Sequence, residues 1–414
     1  MRKIILLVSI IAIFTSCTHI PQTIPKSGEN QHKESSDSFT KKENTNKTIE
    51  VMKNGKNILS DIGKDVFDII YFEEDSVFYS VMNGNNNKDA GNLSIYYYSI
   101  KSGESKKVAD ISGFLQSSSD AAERNGKIYY PFTKTEMEKD NGYRAQMLEI
   151  DMKSLKHRFI SCKNEVIPMF FIESTLNGII KISQRSKDGA TYSAVDLIRV
   201  DDGDKVKTII ENSYNNKEGE IITCISATEK SLYCYVISGL ELKESYIMEY
   251  TFDGKLINKY KLDLESFMDL SDKGAAKGEV DGVISMCKAK DYFILSTINS
   301  RILIFREEGK KLKRIEVPNK IESFSAGASF VSQYKQNSKY IFFQEILDPE
   351  KIFVFDIQNG LFSNITLDSE ERISSVKCDS KGNLIITLLS NASDEKDIFQ
   401  YIPYTETVAL QTIK

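Results

Sequence analysis

Tryptophan is absent from this 414-residue chain, and histidine is scarce, with three residues in all. Only His157 lies beyond residue 50, so a site with several histidine ligands is excluded there. His157 falls in the segment Leu155–Phe159, which alternates like an outer strand with one exposed face. Because the base of a Ser-His-Asp mechanism works in a closed pocket, this position argues against such a mechanism.

Cysteine is scarce too, and its spacing contains no metal or redox motif. Six cysteines are present, and the five beyond Cys17 include no C-x-x-C pair. Cys224 and Cys234 lie in adjacent apolar strand patterns, which leaves open either two buried thiols or a bridge between neighbouring strands. G-x-S-x-G, P-loop and dinucleotide-binding patterns are missing as well. We therefore expect neither a metal ion nor a cofactor.

Positive charge is also in short supply. The formal net charge is -5, and removal of residues 1–16, which contain Arg2 and Lys3 and no acidic residue, would make it -7. Nucleic acids and anionic lipid surfaces both require clustered lysine and arginine, so the composition argues against either as a partner of the folded part. The short basic run Lys310–Arg314 alternates with apolar residues and indicates a solvated face of an outer strand.

The first 17 residues indicate an export signal. A basic start precedes an apolar run from Ile4 to Phe14, which is too short for a permanent membrane span and fits a secretory signal. The segment Phe14–Cys17 resembles the lipobox of bacterial lipoproteins, although Phe14 replaces the commoner leucine. This resemblance implies cleavage after residue 16, lipid attachment at Cys17 and an extracytoplasmic, membrane-anchored location in a bacterial cell envelope. An ordinary cleaved signal with an incidental cysteine is the alternative.

Residues 17–47 contain little that could form a hydrophobic core. Polar residues dominate from Lys26 to Lys47, with Phe39 the only large apolar side chain there. So little apolar area cannot offset the entropy of ordering the backbone, so we expect a flexible tether with a reach of about 30 Å. The folded domain is then predicted over residues 48–414.

Beyond the tether, alternating apolar and polar runs meet at turns spaced about 50 residues apart, with several strands to each period. The turns are centred near Gly103, Ser154, Gly203, Gly254, Gly309, Gly360 and Glu406. This pattern predicts an all-β fold, a β-propeller of seven four-stranded blades, with six or eight blades as alternatives. The second unit is the weakest, because residues 114–122 make a poor strand.

Ring closure should bring the two ends of the domain into one blade. Thr48–Met52 alternates and stops at Asn54-Gly55, so we expect it to pair as an outer strand beside Thr407–Ile413. Alternatively, residues 373–378, 384–388, 398–402 and 407–413 already complete the last blade, and the early strand is a surplus edge. The 20 tyrosines and 22 phenylalanines are expected to pack between blades rather than to form a sugar-binding platform.

The repeat resembles the bacterial propeller lipoproteins of the TolB-like and YVTN-like type over residues 65–414. The resemblance depends on the repeat and not on diagnostic motifs. Without tryptophan there is no Trp-Asp blade ending and no tryptophan docking motif of the quinone-dependent dehydrogenases, which argues against the redox propellers. The resemblance implies binding or scaffolding as the commonest role, with enzymes a minority.

One acidic connection is the candidate working loop. By the strand pattern it joins the outer strand of one blade to the inner strand of the next, beside the central channel. Its carboxylates are Asp263, Glu265, Asp269, Asp272, Glu279 and Asp281. They could form a binding face, supply the opposed acids of a glycosidase or lyase, or simply be solvated. Asp201-Asp202-Gly203-Asp204 is interpreted as a turn rather than a metal site.

The sequence therefore predicts a lipid-anchored propeller that binds or scaffolds a protein, peptide or glycan through one loop face. A carbohydrate-active hydrolase or lyase of the envelope that uses the loop carboxylates is the alternative, and a non-enzymatic role is favoured. A subunit of an envelope assembly is a third class, which would show a broad apolar patch.

Overall fold

The computed structural model describes residues 56–60, 62–83, 91–117, 121–136, 142–161, 172–175, 177–187, 190–214, 219–238, 244–262, 283–297, 302–315, 317, 340–344, 351–366, 372–389 and 397–402. These ranges exclude the signal segment, Cys17, the tether and the acidic connection 263–282. No helix in the described ranges is long and apolar enough to cross a membrane. Within these ranges, the one helical element is a 3-10 turn at Gly63–Asp65.

Strands make up almost all of the described chain, and they alternate with tight turns as the repeat predicts. The first strands in chain order are β1 (Lys56–Ile58), β2 (Val66–Glu73), β3 (Ser76–Asn83), β4 (Gly91–Ser99), β5 (Ser105–Gln116), β6 (Ala122–Arg124), β7 (Lys127–Glu136), β8 (Gly142–Asp151), β9 (His157–Ser161), β10 (Ile172–Thr175), β11 (Gly178–Lys187), β12 (Ala190–Arg199) and β13 (Lys205–Tyr214).

The second half continues in the same way. Its strands are β14 (Glu220–Ala227), β15 (Leu232–Ser238), β16 (Glu244–Tyr250), β17 (Leu256–Leu262), β18 (Val283–Ala289), β19 (Tyr292–Thr297), β20 (Ile302–Glu308), β21 (Lys311–Ile315), β22 (Tyr340–Gln344), β23 (Lys351–Asp356), β24 (Leu361–Thr366), β25 (Arg372–Cys378), β26 (Leu384–Leu389) and β27 (Ile398–Ile402).

These strands form antiparallel sheets that follow chain order. The third, fourth and fifth units are the four-stranded sheets β10–β13, β14–β17 and β18–β21. The first two units, β2–β5 and β6–β9, are joined in one sheet because β5 pairs with β7 through Phe114 and Lys134. The weak second unit is explained by this extension of β5 to Gln116 and by an inner strand, β6, of only three residues.

The all-β propeller prediction is confirmed, because successive antiparallel sheets pack face to face. The number of blades stays a prediction, since the sixth unit shows three described strands, β22–β24, and the residues before them, 318–339, lie outside the described part of the chain.

The last unit shows how the two ends of the domain meet. Its sheet has the order β25-β26-β27-β1, with Lys56 opposite Tyr401 and Ile58 opposite Phe399. A blade shared by both ends is therefore confirmed. The described strand beside β27 is Lys56–Ile58, which follows Asn54-Gly55 in the chain, and Ile58 and Leu59 are buried there. Thr48–Met52 and Thr407–Ile413 lie outside the described ranges.

Aromatic side chains fill the spaces between neighbouring sheets, as expected. Tyr233 of the fourth sheet meets Phe293 of the fifth edge to face, with ring centroids 5.2 Å apart. Tyr292 of the fifth meets Phe355 of the sixth at 5.1 Å. Large flat rings bury much area at low entropy cost, so this use of aromatics stabilises a stack of sheets. The aromatic content thus has a packing role in the described part.

Gly254, in the turn between β16 and β17, provides a test of sheet-to-sheet contact. Its φ is +94°, and a Cβ there would lie 2.5 Å from the Ile209 carbonyl oxygen of the preceding sheet. Gly203 is its matched control, because φ is +64° but no atom lies within 4 Å of the added Cβ. We expect Gly254→Ala to lower the free energy of unfolding by about 3 kcal/mol and Gly203→Ala by about 1 kcal/mol in urea denaturation. Equal losses would show that backbone conformation alone sets the cost.

Candidate functional site

The two ends of each sheet carry different chain segments. Because neighbouring strands are antiparallel, the loops between second and third strands share one end with the connections between units. We call this end the connection face. The opposite end carries the turns between first and second strands and between third and fourth strands, and we call it the hairpin face. The six predicted site carboxylates of residues 263–281 fall in a connection between units and lie outside the described residues.

First strands carry a repeated irregularity at the connection face. In four of them the pairing register shifts near the start of the strand, at Val66/Asp68, Ile222/Cys224, Val283/Ser285 and Ile373/Ser375. A bulge re-aims side chains and increases local twist, and bulges are common at the rims of closed β folds. In the fifth and last units the residue that follows the shift is a serine, Ser285 and Ser375.

Hydroxyl groups pair across the first two strands beside these bulges. Ser285 and Ser296 share a hydrogen bond of 2.6 Å, and the Ser375 hydroxyl donates to Thr387 at 2.9 Å. Ser296 and Thr387 are buried. A buried hydroxyl needs a partner to recover its lost hydration, and these pairs supply one inside the sheet. They hold together the connection-face ends of two sheets, the sheet of β18–β21 and the sheet that contains β25 and β26.

The third sheet has the strongest polar cluster, which we call the Lys181 network. Lys181 and Asp196 are 2% and 1% exposed, and their charged atoms lie 3.7 Å apart. The Lys181 ammonium donates to the Ser183 hydroxyl at 2.8 Å, and that hydroxyl donates to the Asp196 carboxylate at 2.7 Å. The network is thus a chain of charged and polar groups inside a strand pair.

Two more groups carry the Lys181 network towards the surface. Arg185 donates to Asp196 and, at 3.2 Å, pairs with the exposed carboxylate of Glu211. Thr208 of the outer strand donates to the second Asp196 oxygen at 2.9 Å. Lys181, Ser183 and Arg185 alternate along β11, so their side chains share one face and rise towards the connection face.

Electrostatics favour the ionised form of the Asp196 carboxyl. Burial alone would raise the pKa of the Asp196 carboxyl, but the Lys181 ammonium, the Ser183 hydroxyl and the Arg185 guanidinium lower it below its usual range. A serine beside a lysine can act as a nucleophile only when the lysine is neutral and the serine is reachable. Here Ser183 is buried and Lys181 faces a carboxylate, so the arrangement stabilises the sheet rather than supplying a reactive hydroxyl.

Sequence reasoning did not single out Lys181 or Asp196. The available signal was the alternation Lys181-Ile-Ser183-Gln-Arg185, which puts three polar side chains on one face of a strand. Such a face predicts solvent exposure unless an acid lies opposite. The pairing of Lys181 with Asp196 in the register of β11 and β12 is what the sequence could not show.

Acidic residues on the hairpin face are neutralised by cations. In the turn 201–204, Asp201 pairs with Arg124 at 2.7 Å, Asp204 with Arg158 at 2.5 Å, and Asp202 with Lys205 at 2.8 Å. Arg124 and Arg158 belong to the second unit, so this turn joins two units. Among the described residues no three metal-binding side chains come together in a way that could hold an ion.

The remaining sequence candidates are also placed. His157 is exposed on the outer strand β9, as predicted. Cys224 and Cys234 are free thiols, which rules out the bridge between them. Cys224 lies opposite Tyr235 and Cys234 opposite Ile225, so the two thiols point to opposite faces of the sheet. Burial raises the pKa of Cys224 to about 12, which makes it unreactive.

No protein-family model and no curated protein matches this sequence. Several solved structures are similar to it. An acylaminoacyl peptidase in complex with Z-Gly-Gly-Phe-chloromethyl ketone matches with a TM-score of 0.50 and 14% identity, over 83% of this chain and 53% of that one. YCF48 bound to D1 peptide matches with a TM-score of 0.49 and 7% identity, over 88% and 100% of the two chains.

A third match is the β-propeller domain of the Trilobed protease from Pyrococcus furiosus. Its TM-score is 0.39 at 14% identity, over 66% of this chain and 77% of that one. At such identities the similarity concerns the fold alone, and a shared fold does not transfer an activity. The succession of antiparallel sheets shows that the chain adopts a β-propeller fold.

Proposed function

We propose that this protein is a lipid-anchored, extracytoplasmic propeller that binds a protein or peptide partner through its connection face. The observation that carries the proposal is the internal pairing at that face. Hydroxyl pairs and the Lys181 network fix the ends of the sheets, and their polar groups are used within the sheets. Loops carried on fixed sheet ends are suited to recognition, because little entropy is lost when a partner binds.

Attachment through Cys17 is the second part of the proposal. The apolar segment and the Phe14–Cys17 pattern support it, and the polar segment 17–47 would let the domain move above the lipid. Cys17→Ser is the direct test. We expect the parent chain to incorporate labelled fatty acid and to sediment with membranes, and the variant to do neither. A variant that is still acylated would contradict the assignment.

The acidic connection provides the test of the binding role. One variant neutralises Asp263, Glu265, Asp269 and Asp272 as Asn or Gln. Its control neutralises four exposed carboxylates of the hairpin face, namely Asp202, Glu229, Asp253 and Glu308. Both variants lose four negative charges. After cross-linking in the native envelope and purification of the chain, we expect one stoichiometric companion with the parent and the control, and at least about tenfold less with the connection variant.

Equal recovery of the companion with both variants would contradict binding through the connection face. The carbohydrate-active alternative predicts a different result for the same parent, connection variant and control. An enzyme would shorten an envelope polysaccharide in the absence of any companion, and the connection variant would lose that activity while the control kept it. A glycan partner that is bound and left intact would keep the binding role and change its ligand class.

A further inference from the structure

Basic residues are concentrated where the outer strands begin. The segments 105–108, 156–159, 205–208, 255–259 and 310–314 contain twelve lysines and arginines and no aspartate or glutamate. They include or immediately precede the first residues of the outer strands β5, β9, β13, β17 and β21, in five successive units. We call these five segments the basic rim.

Several rim lysines have no acidic partner. Lys205 pairs with Asp202 at 2.8 Å, and Arg158 is engaged by Asp204 and Glu149. In the part of the chain that the structure describes, no ion pair involves Lys106, Lys156, Lys207, Lys255, Lys310, Lys311 or Lys313. All seven are exposed. These seven lysines therefore place positive charge outside any described ion pair, on a chain whose net charge is negative, although Lys207 lies near Asp253 and lowers the pKa of its carboxyl.

Apolar side chains are exposed between these lysines. Among the described residues, five large apolar side chains are exposed, and all five lie on outer strands. Four belong to the rim: Phe159 at 44%, Val206 at 56%, Leu256 at 47% and Ile257 at 51% exposed. The fifth, Leu361, begins the outer strand β24.

Protection of sheet edges explains the lysines of this pattern but not its exposed apolar side chains. Lysine on an edge strand prevents pairing with another sheet, so lysines alone would not indicate a binding partner. Exposed leucine, isoleucine and valine beside them work against that protection, because they favour association. A second copy of the chain is a poor occupant, since it would bring lysines against lysines.

The overall composition argues against an anionic lipid partner, but the lysines of the basic rim are clustered locally. We propose that the basic rim is a contact surface for a lipid bilayer with anionic headgroups. Lysines near such a surface are attracted to the headgroups, while apolar side chains enter the boundary with the acyl chains. An extended series of separate residues, spread over several sheets, suits a broad partner better than a pocket does. The inference rests on the proposed function only for the presence of a membrane nearby, and it would orient the disk relative to the lipid.

Vesicle binding tests the proposal. The full chain with Cys17→Ser is compared on phosphatidylcholine vesicles and on vesicles with about 30 mol% phosphatidylglycerol. The rim variant is Lys207→Gln with Lys255→Gln. Its control, Lys230→Gln with Lys290→Gln, removes two exposed lysines from turns of the hairpin face. Every chain carries the same N-terminal segment, so that segment cancels in the comparison, and a failure of acylation at Cys17 cannot affect the result.

The measured quantity is the ratio of the partition coefficients on the two kinds of vesicle. We expect it to fall about 25-fold in the rim variant, since each lysine contributes about fivefold, and less than about twofold in the control. At ~0.5 M salt the ratio for the parent should approach one. Leu256→Ser with Ile257→Ser should weaken binding to both kinds of vesicle by about tenfold.

Because the substituted side chains are exposed, the urea midpoint should not change, and this is checked for every variant. An unchanged ratio in the rim variant would overturn the proposal. Equal binding of the parent to both vesicle compositions would also overturn it, and would assign the charge pattern to an acidic protein instead.

Discussion

Asp379→Ala is expected to lower the free energy of unfolding by about 3–5 kcal/mol, because this carboxylate joins the first and last sheets. Asp379 is completely buried. It accepts hydrogen bonds from the Lys381 and Asn383 amides at 3.0 and 2.8 Å, and from the Asn383 side chain at 2.6 Å. The Glu74 amide of the first sheet donates to it at 3.1 Å. Its removal leaves four buried or half-buried donors without an acceptor.

Asp356→Ala is the matched control for this prediction. Asp356 is also buried and accepts from the Gln358 and Asn359 amides and from the Asn359 side chain, all within its own turn. We expect its loss to cost about 2 kcal/mol. Urea denaturation followed by tyrosine fluorescence suits a chain without tryptophan. If the two substitutions cost the same, the contact between the first and last sheets would have no special share in stability.

The second large effect is expected in the Lys181 network. Asp196→Ala leaves the Lys181 ammonium buried without its counter-charge, and breaking a buried pair in this way costs about 3–5 kcal/mol. Replacing both partners, as Lys181→Met with Asp196→Leu, removes the desolvation cost of both charges and should bring stability back to within about 1 kcal/mol of the parent. A double-mutant cycle from Lys181→Met, Asp196→Leu and the double variant measures the coupling.

The stability of the double variant could contradict this prediction. If it were as unstable as Asp196→Ala, the polar chain through Ser183 and Arg185 would be needed for the shape of the sheet, and not only to compensate Lys181. The single and double variants leave every connection-face residue outside β11–β13 unchanged. Partner binding can therefore be measured on the same proteins.

Acid gives an independent check on Asp196. Because its pKa is lower in the folded than in the unfolded chain, the unfolded chain binds more protons as the pH falls. The stabilisation is present above the unfolded value of about 3.9 and is lost as the pH falls through the folded value. The parent should therefore lose stability below about pH 4 more steeply than the Lys181→Met, Asp196→Leu variant.

The sheets could be predicted from the sequence because strand alternation and turn chemistry are local. For example, the alternation of apolar and polar residues predicts strands over 232–237 and 256–262, which differ from β15 and β17 by at most one residue. A blade shared by both ends of the domain was predicted, but Lys56–Ile58 was not singled out, since three residues with one buried side chain give a weaker pattern than Thr48–Met52. Which of several short alternating segments pairs with β27 depends on contacts some 340 residues away in the chain.

The polar clusters could not be predicted for a related reason. A lysine on a strand indicates an exposed face unless a carboxylate lies opposite, and that depends on register between strands. The neutralisation of Asp201 and Asp204 by arginines of the preceding unit likewise depends on how the sheets stack. The basic rim was within reach, because the five segments share a position after the third-to-fourth turn. Each segment considered alone looked like an ordinary solvated strand.

Pairing of Lys56–Ile58 with the strand Ile398–Ile402 has a kinetic consequence. The segment that seals the disk is made early by the ribosome, and its partner is made among the last. The high sequence separation of this contact predicts slow completion of folding, after the intervening sheets have formed. Until then the apolar side chain of Ile58 and the edge of β27 stay open to other chains, so a chaperone that shields nascent polypeptides during export should raise the yield of native protein.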